Sequence, residues 1–315
     1  MSRQLTHEAS VNSPPGHPAY VFTRNNPYDR EAAIEMVLPQ LLDSATYMRS
    51  IREFQVPGDA LAIWYMGQNG FLLKSRDSPL IGIDLYLSNS CTTTFAHLPF
   101  RLDRQVPVFI EPEDLDVDVF ITTHSHDDHA DPETIRRMRK DRGTIFVGPF
   151  DSQRVFAECG VQAAVCSLIH PGERLELGQG TSLLATFAMP TDATDLNHTG
   201  ALLEFPNGIR FYDTGDTGYA PRLPVLLPQE VDVCAICING GFHNLVPLQA
   251  AEILKVIRPR VATPCHYDML VNNVGSPEML RVAMDVLGVD AVFFQMKYYE
   301  PWVYVRHEDR IAINT

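Results

Sequence analysis

From Leu61 onward, short apolar runs alternate with glycine, asparagine, serine and aspartate: Leu61 to Met66, Gly70 to Lys74 and Leu80 to Leu85. Runs of this length parted by turn-forming residues predict adjacent strands joined by tight turns. The same pattern predicts strands at Val117 to Ile121, Thr144 to Val147, Ser182 to Phe187, Gly200 to Phe205 and Ile209 to Tyr212. Val231 to Ile238, Val261 to Pro264, Ala291 to Gln295 and Val303 to Val305 continue it. Helices interrupt the series. Asp131 can cap one running to Arg142, with Pro132 at its first position and Arg136, Arg137, Arg139, Lys140 and Arg142 forming its exposed side and basic end. Pro247 opens another whose Ala250, Ile253, Leu254 and Ile257 share one face, stopped by Pro259.

The chain before Leu61 reads differently. To about Tyr28 it is rich in Pro, Asn and Ser and is expected to be irregular, wrapping the body or contacting a neighbouring copy, so a homo-oligomer is an expectation. Asp29 then caps a helix through Ala32, Ala33, Met36 and Val37; Pro39 interrupts it, and Leu41, Leu42, Ala45, Met48 and Ile51 resume a period near 3.6. The chain therefore divides into an N-terminal extension over 1–58, irregular then helical, and a main domain over 59–315. Sheet layers flanked by helices make an α+β protein.

Composition narrows the function. Hydrophobic residues are 45% of 315, enough for a large core, and 39 acidic against 25 basic residues leave a net charge of −14. That balance repels polyanions and offers no Lys/Arg stripe, so nucleic acid is not the expected partner. A small-molecule substrate remains, anionic ones included, because one or two local arginines can hold such a group. No apolar run is long enough to span a bilayer or resembles a signal peptide, so no membrane partner and a cytoplasmic location are expected. Six scattered cysteines read as free, mostly buried thiols; Cys234 and Cys237 lie within a predicted core strand.

The strand at Val117 runs straight into His124-Ser125-His126-Asp127-Asp128-His129, and the helix capped by Asp131 follows. His124 and His126, two apart on extended chain, can converge on one ion, while Asp128 and His129, past the bend, can turn towards a second. Imidazoles and carboxylates suit zinc, manganese or iron. Catalytic zinc ordinarily takes three protein ligands, so others must come from elsewhere. His198 precedes a strand, Asp216 follows one in Asp213-Thr214-Gly215-Asp216, and His266 ends one. The bland readings stand beside these: His198 and His266 as ordinary polar residues, and Asp213 rather than Asp216 as the ligand.

Taken together, His124 to His129, His198, the Gly215-Asp216-Thr217 run and His266 resemble the metal-ligand series of the metallo-β-lactamase superfamily. Tyr65 to Phe71, Asp84 to Cys91, Ile238 to Gly241 and Pro264 to Met269 resemble its branch containing bacterial ascorbate-6-phosphate lactonase. Two departures mark the chain off from that branch: the segment Thr217 to Val246 is shorter, and His198 is a histidine. The resemblance covers roughly Ala60 to the C-terminus. It implies an αββα sandwich of two mixed sheets with helices outside and two divalent metal ions, zinc or manganese, at one edge. By carry-over, His124, His126 and His198 bind the first ion and Asp128, His129 and His266 the second, with Asp216 bridging and Asp84 bracing the site from behind.

The chemistry implied is hydrolysis by a metal-bound hydroxide attacking an ester-type C–O bond, most concretely in a sugar-derived or phosphorylated lactone. Asp128 would orient the hydroxide and take its proton, and His243 would protonate the leaving group. Arg101 and Arg104 are candidates to clasp an anion; Asn239, Asn244, Tyr267 and Asp268 flank the expected rim, Asn239 and Tyr267 being the ones expected to touch substrate. A phosphodiesterase acting on a small phosphodiester, or a metal-binding sensor or assembly protein without turnover, uses the same ligands. The superfamily's flavin-linked diiron reductases would need a glutamate in the ligand run and a flavin domain, and neither is present.

Overall fold

The computed structural model describes residues 42–306. The helix expected from Asp29 to Val37 lies outside the described residues. The resumed helical period is present as α1, Ser44–Glu53, where Asp43 accepts a hydrogen bond from Thr46 N and so satisfies an otherwise orphaned amide. Tyr47, Met48 and Ile51 are its buried face, and Arg52 in its last turn grips both carboxylate oxygens of Asp118 at 2.7 Å. α1 belongs to the same compact unit as the strands that follow.

Fourteen strands are described, in two seven-stranded sheets. In the first, β1 (Ala60–Gly67), β2 (Gly70–Ser75) and β3 (Ile81–Ile83) pair antiparallel, then β4 (Val119–Ile121), β5 (Ile145–Gly148) and β6 (Cys166–Leu168) add in parallel. The second begins with β7 (Arg174–Gly178), β8 (Thr181–Phe187), β9 (Thr199–Glu204) and β10 (Arg210–Asp213), all antiparallel. Then β11 (Val233–Cys237), β12 (Val261–Cys265) and β13 (Val292–Phe293) add in parallel. β14 (Trp302–Val305) returns to the first sheet beside β1. With helices α2 (Ser90–Thr94), α3 (Pro132–Arg137), α4 (Phe150–Glu158), α5 (Pro247–Ile257) and α6 (Pro277–Leu287), this is the expected arrangement of two mixed sheets and flanking helices.

Alternation explains how the layers assemble. Leu61, Ile63 and Tyr65 of β1 belong to the core shared with the second sheet, while Trp64 between them is buried on the other face against Phe54. Phe71 meets Phe211 edge to face, with ring centroids 5.5 Å apart, one from each sheet. Each such fully buried side chain contributes roughly 1.5–3 kcal/mol. β11 is buried on every residue, as a central parallel strand must be, and reads as an unbroken apolar run.

One helix departs from expectation. The segment from Asp131 to Arg142 is not continuous: α3 ends at Arg137, Met138 turns extended, and a short 3-10 turn occupies Lys140–Arg142. Lys140 folds back so that its ammonium caps the carbonyls of Ile135 and Arg136, taking the acceptors that a further turn would have used. Among the described residues, no helix is long and apolar enough to cross a membrane.

Candidate metal centre

The carboxyl ends of β3 and β4 lie side by side, Ile83 level with Ile121, so Asp84 and the run from Thr122 leave the first sheet together. Asp84 accepts from Thr123 N at 2.7 Å and from Thr123 Oγ1 at 2.5 Å, fixing the chain just before His124. Thr199, opening β9, donates through N and Oγ1 to Thr123 O, both at 2.9 Å, and so stitches the ligand run to the second sheet. Beyond it, Ser125 N donates to Asp195, and the amides of His129 and Ala130 both return to His126 O. Asp131 then caps α3, its second carboxylate oxygen taken by Thr134. A loop with this many polar partners holds its histidines still.

Two groups of side chains meet here. Ligand atoms of His124, His126 and His198 lie within 4.8 Å of one another, and so do those of Asp128, His129 and His266. Asp216 touches both groups: its Oδ1 is 3.5 Å from His129 Nε2 and 3.2 Å from His266 Nε2, and its backbone carbonyl is 3.0 Å from His198 Nδ1. Asp213, the alternative, points elsewhere, sharing the Asn69 side-chain amide with Asp84. Asp84, completely buried, lies 2.7 Å from His129 Nδ1, which turns His129 Nε2 towards Asp128 and Asp216.

Electrostatics follow from burial and from this crowding. Burial, then the surrounding imidazoles, hold His124 well below the usual histidine range, and burial lowers His198 too, so both are neutral nitrogen donors near pH 7. Burial opposes charge on His129 as well, but Asp128, Asp216 and Asp84 outweigh it and raise its pKa. Burial likewise acts to raise Asp128 and Asp216, yet His129 and His266 pull both below the usual carboxylate range. Asp213 goes the other way, burial and the neighbouring Asp84 pushing it well up.

The residues present fit metal ions. His129 Nε2, His198 Nε2 and Asp216 Oδ1 are buried and have no hydrogen-bond partner among the described residues. Leaving three buried polar atoms unpaired costs about 1–3 kcal/mol each, and nitrogen and carboxylate donors aimed at common points are what divalent cations require. Backbone strain points to the same place. Gln68, Asp84 and His266 are non-glycine residues at positive φ (55°, 44° and 57°), a conformation costing roughly 1–3 kcal/mol that clusters at functional sites.

A family model described as the beta-lactamase superfamily domain matches residues 62–266, about two thirds of the chain and every residue of both groups. The chain belongs to the metallo-β-lactamase superfamily. Among its relatives within it, a UPF0173 metal-dependent hydrolase of Thermoplasma acidophilum is 27% identical over 192 residues, 60% of this chain and 83% of that one. Another, from Pyrobaculum neutrophilum, is 24% identical over 234 residues, 74% of this chain and 96% of that one. The fold is shared with Igni18, a metallo hydrolase from Ignicoccus hospitalis, at a TM-score of 0.61 and 21% identity over 79% of this chain and all of that one. It is also shared with an isothiocyanate hydrolase from Delia radicum gut bacteria, at 0.60 and 14% over 76% and 98%.

Within this metallo-β-lactamase domain the expected substrate contacts are less uniform. Arg104 cannot clasp an anion, because its guanidinium is spent on the backbone carbonyls of Tyr86, Ser88, Val106 and Pro107, and burial brings its pKa down to about 10. Arg101 is largely exposed and pairs with Asp103 at 2.5 Å. His243 is exposed, with Nδ1 2.9 Å from Thr191 O; Asn239 donates to Asn273, and Tyr267 is buried against Tyr65. Asn244 donates to Asp216 Oδ2 at 2.6 Å, orienting that carboxylate. Gln68 and Asn69 carry no role that the sequence alone predicts, though both lie in a glycine-flanked turn between two predicted strands, where a polar pair is the visible signal.

Proposed function

We propose that the chain is a metal-dependent hydrolase holding two divalent ions, zinc or manganese, and opening ester-type C–O bonds, most concretely in a lactone. The observation that carries this is the convergence of His129 Nε2, His198 Nε2 and Asp216 Oδ1, buried and without a hydrogen-bond partner among the described residues, on a three-histidine group and an Asp/His/His group, the first met by the Asp216 backbone carbonyl and the second by its carboxylate. The metal-dependent hydrolases among its relatives support the same reading. When bound, the ions supply Lewis acidity and an activated water at neutral pH.

The chain's own residues do the rest. His124, His126 and His198 would hold one ion and Asp128, His129 and His266 the other, and Asp216, its carboxylate oriented by Asn244, would be the ligand they share. Asp128 is ionised at neutral pH and lies on the solvent-reached side of the site, where it can orient a water and accept its proton. His243, with Nδ1 donating to Thr191 O, keeps Nε2 free to exchange a proton with the leaving oxygen at the rim. Asn239 Oδ1 is buried without a partner and is the acceptor offered to a substrate hydroxyl. Arg101 and Tyr267 complete the proposed substrate contacts, Arg101 as the exposed cation for an anionic substituent.

Turnover of a lactone panel compared with bis-p-nitrophenyl phosphate tests the reading. Preference for a lactone is expected; clear preference for the phosphodiester would replace lactonase with phosphodiesterase, and no turnover of either by metal-loaded protein would favour a sensor role.

A further inference from the structure

The β1–β2 turn enters the site through one side chain. Gln68 sits at its corner, fully buried and in the left-handed region at φ 55°. A carboxylate can only accept, so the amide nitrogen is the atom facing Asp128; Nε2 lies 2.5 Å from Asp128 Oδ2 and 3.0 Å from His266 Nε2. The backbone of the same residue acts too: Gln68 O accepts from His266 N at 2.6 Å and from Tyr65 Oη at 2.9 Å. With an ion on His266 Nε2, one residue therefore fixes the Asp128 side chain after β4 through its amide and the His266 backbone after β12 through its carbonyl.

We propose that Gln68 is a positioning residue for the half of the site made by Asp128, His129 and His266, setting how tightly that half holds its ion. This rests on the two-metal reading above. Asp128 is partly solvent-reached, so without a partner its carboxylate is free to rotate, and the charge-assisted bond from Gln68 holds Oδ2 at 3.3 Å from His266 Nε2. His266 stands at the end of its strand at positive φ, and the bond from its amide to Gln68 O keeps that strained backbone in place. The other half makes no hydrogen bond to Gln68: His124 leans on Thr123, His126 on Thr194 and His198 on the Asp216 carbonyl. Removing such supporting partners typically costs 10–100-fold in metal affinity.

Gln68→Asn and Gln68→Gly test this cleanly, because both residues tolerate positive φ and keep the backbone carbonyl while neither amide nor hydrogen can reach Asp128. Metal-free wild type and both variants are titrated with cobalt(II), following visible absorption and equilibrium dialysis, with circular dichroism confirming the fold. Wild type is expected to take up two ions; the variants should bind the first as wild type does and the second roughly 10–100-fold more weakly. Uptake of both ions with unchanged affinity by both variants would overturn the role of Gln68 alone. Equal weakening of both ions would also overturn it, showing a general structural role. A wild type that binds no second ion would overturn the two-metal reading itself.

Discussion

His129 Nδ1 lies 2.7 Å from Asp84 Oδ2, with both side chains completely buried. The contact decides which imidazole nitrogen faces the centre. Asp84 spends its oxygens on four donors, from Thr123 N, Thr123 Oγ1, Asn69 Nδ2 and His129 Nδ1. In Asp84→Asn, an amide nitrogen replaces one acceptor and confronts donors. Metal affinity at the second ion is expected to fall about 10–100-fold, with a loss of about 1–3 kcal/mol in stability. Chelator competition and denaturant melts of the metal-free protein read the two effects separately.

The approach of the sheets at the site requires a glycine. Gly215 is at φ 58°, and a Cβ there would come within 2.7 Å of Thr199 O and 2.9 Å of Thr123 Cβ, where neither neighbour can yield without moving the ligand run. Gly215→Ala is expected to destabilise by roughly 1–3 kcal/mol. It should also displace Asp216, so metal binding should weaken together with the denaturation midpoint.

A buried acid outside the two groups gives the protein a pH signature. Burial raises Asp268 to about 6, partly offset by the Tyr298 hydroxyl donating to it at 2.5 Å. The folded state therefore binds a proton more tightly than the unfolded state, where the pKa is near 4. Stability from this group is full below about pH 4 and is lost as pH rises through about 6. Asp268→Asn should flatten that decline, removing up to about 3 kcal/mol of difference between the two ends of the window. Urea denaturation of metal-free protein across pH 4–7 checks it; an unchanged slope would show that Asp268 is not the titrating group.

Asp216 sets its carboxylate against His129 and His266 and its backbone carbonyl against His198, and in the proposed two-metal reading it lies between the ions, so Asp216→Ala should remove activity and weaken both ions, whereas His266→Ala should remove activity and only one. Metal analysis alongside turnover separates these outcomes. Retained activity in either variant would show the ligand assignments to be wrong.

Much of this site was legible in the chain, for a physical reason. Polar side chains that leave strand ends at one edge leave a local mark: an apolar run, then histidine or aspartate, as at His124 after β4 and His266 after β12. Strands buried on both faces, such as β11, were equally plain. The missed strands, β6 and β7, are the outer edges of the two sheets and half exposed, so they carry little apolar signal. Helix α6 escaped notice because Met279, Val282 and Val286 are exposed and blur its polar face. The broken helix after Asp131 depended on one lysine folding back, and the parts of Gln68, Asn69 and Asn244 depend on contacts between residues far apart in the chain. Spacing along a sequence does not carry such information.

The two groups beside Asp216, His124–His126–His198 and Asp128–His129–His266, are proposed to hold metal ions. Elemental analysis of wild-type protein purified without chelator tests it most directly. About two zinc or manganese ions per chain are expected, as two-metal hydrolases require; a correctly folded protein that purifies without metal and takes none up from added zinc or manganese would rule the two-metal site out.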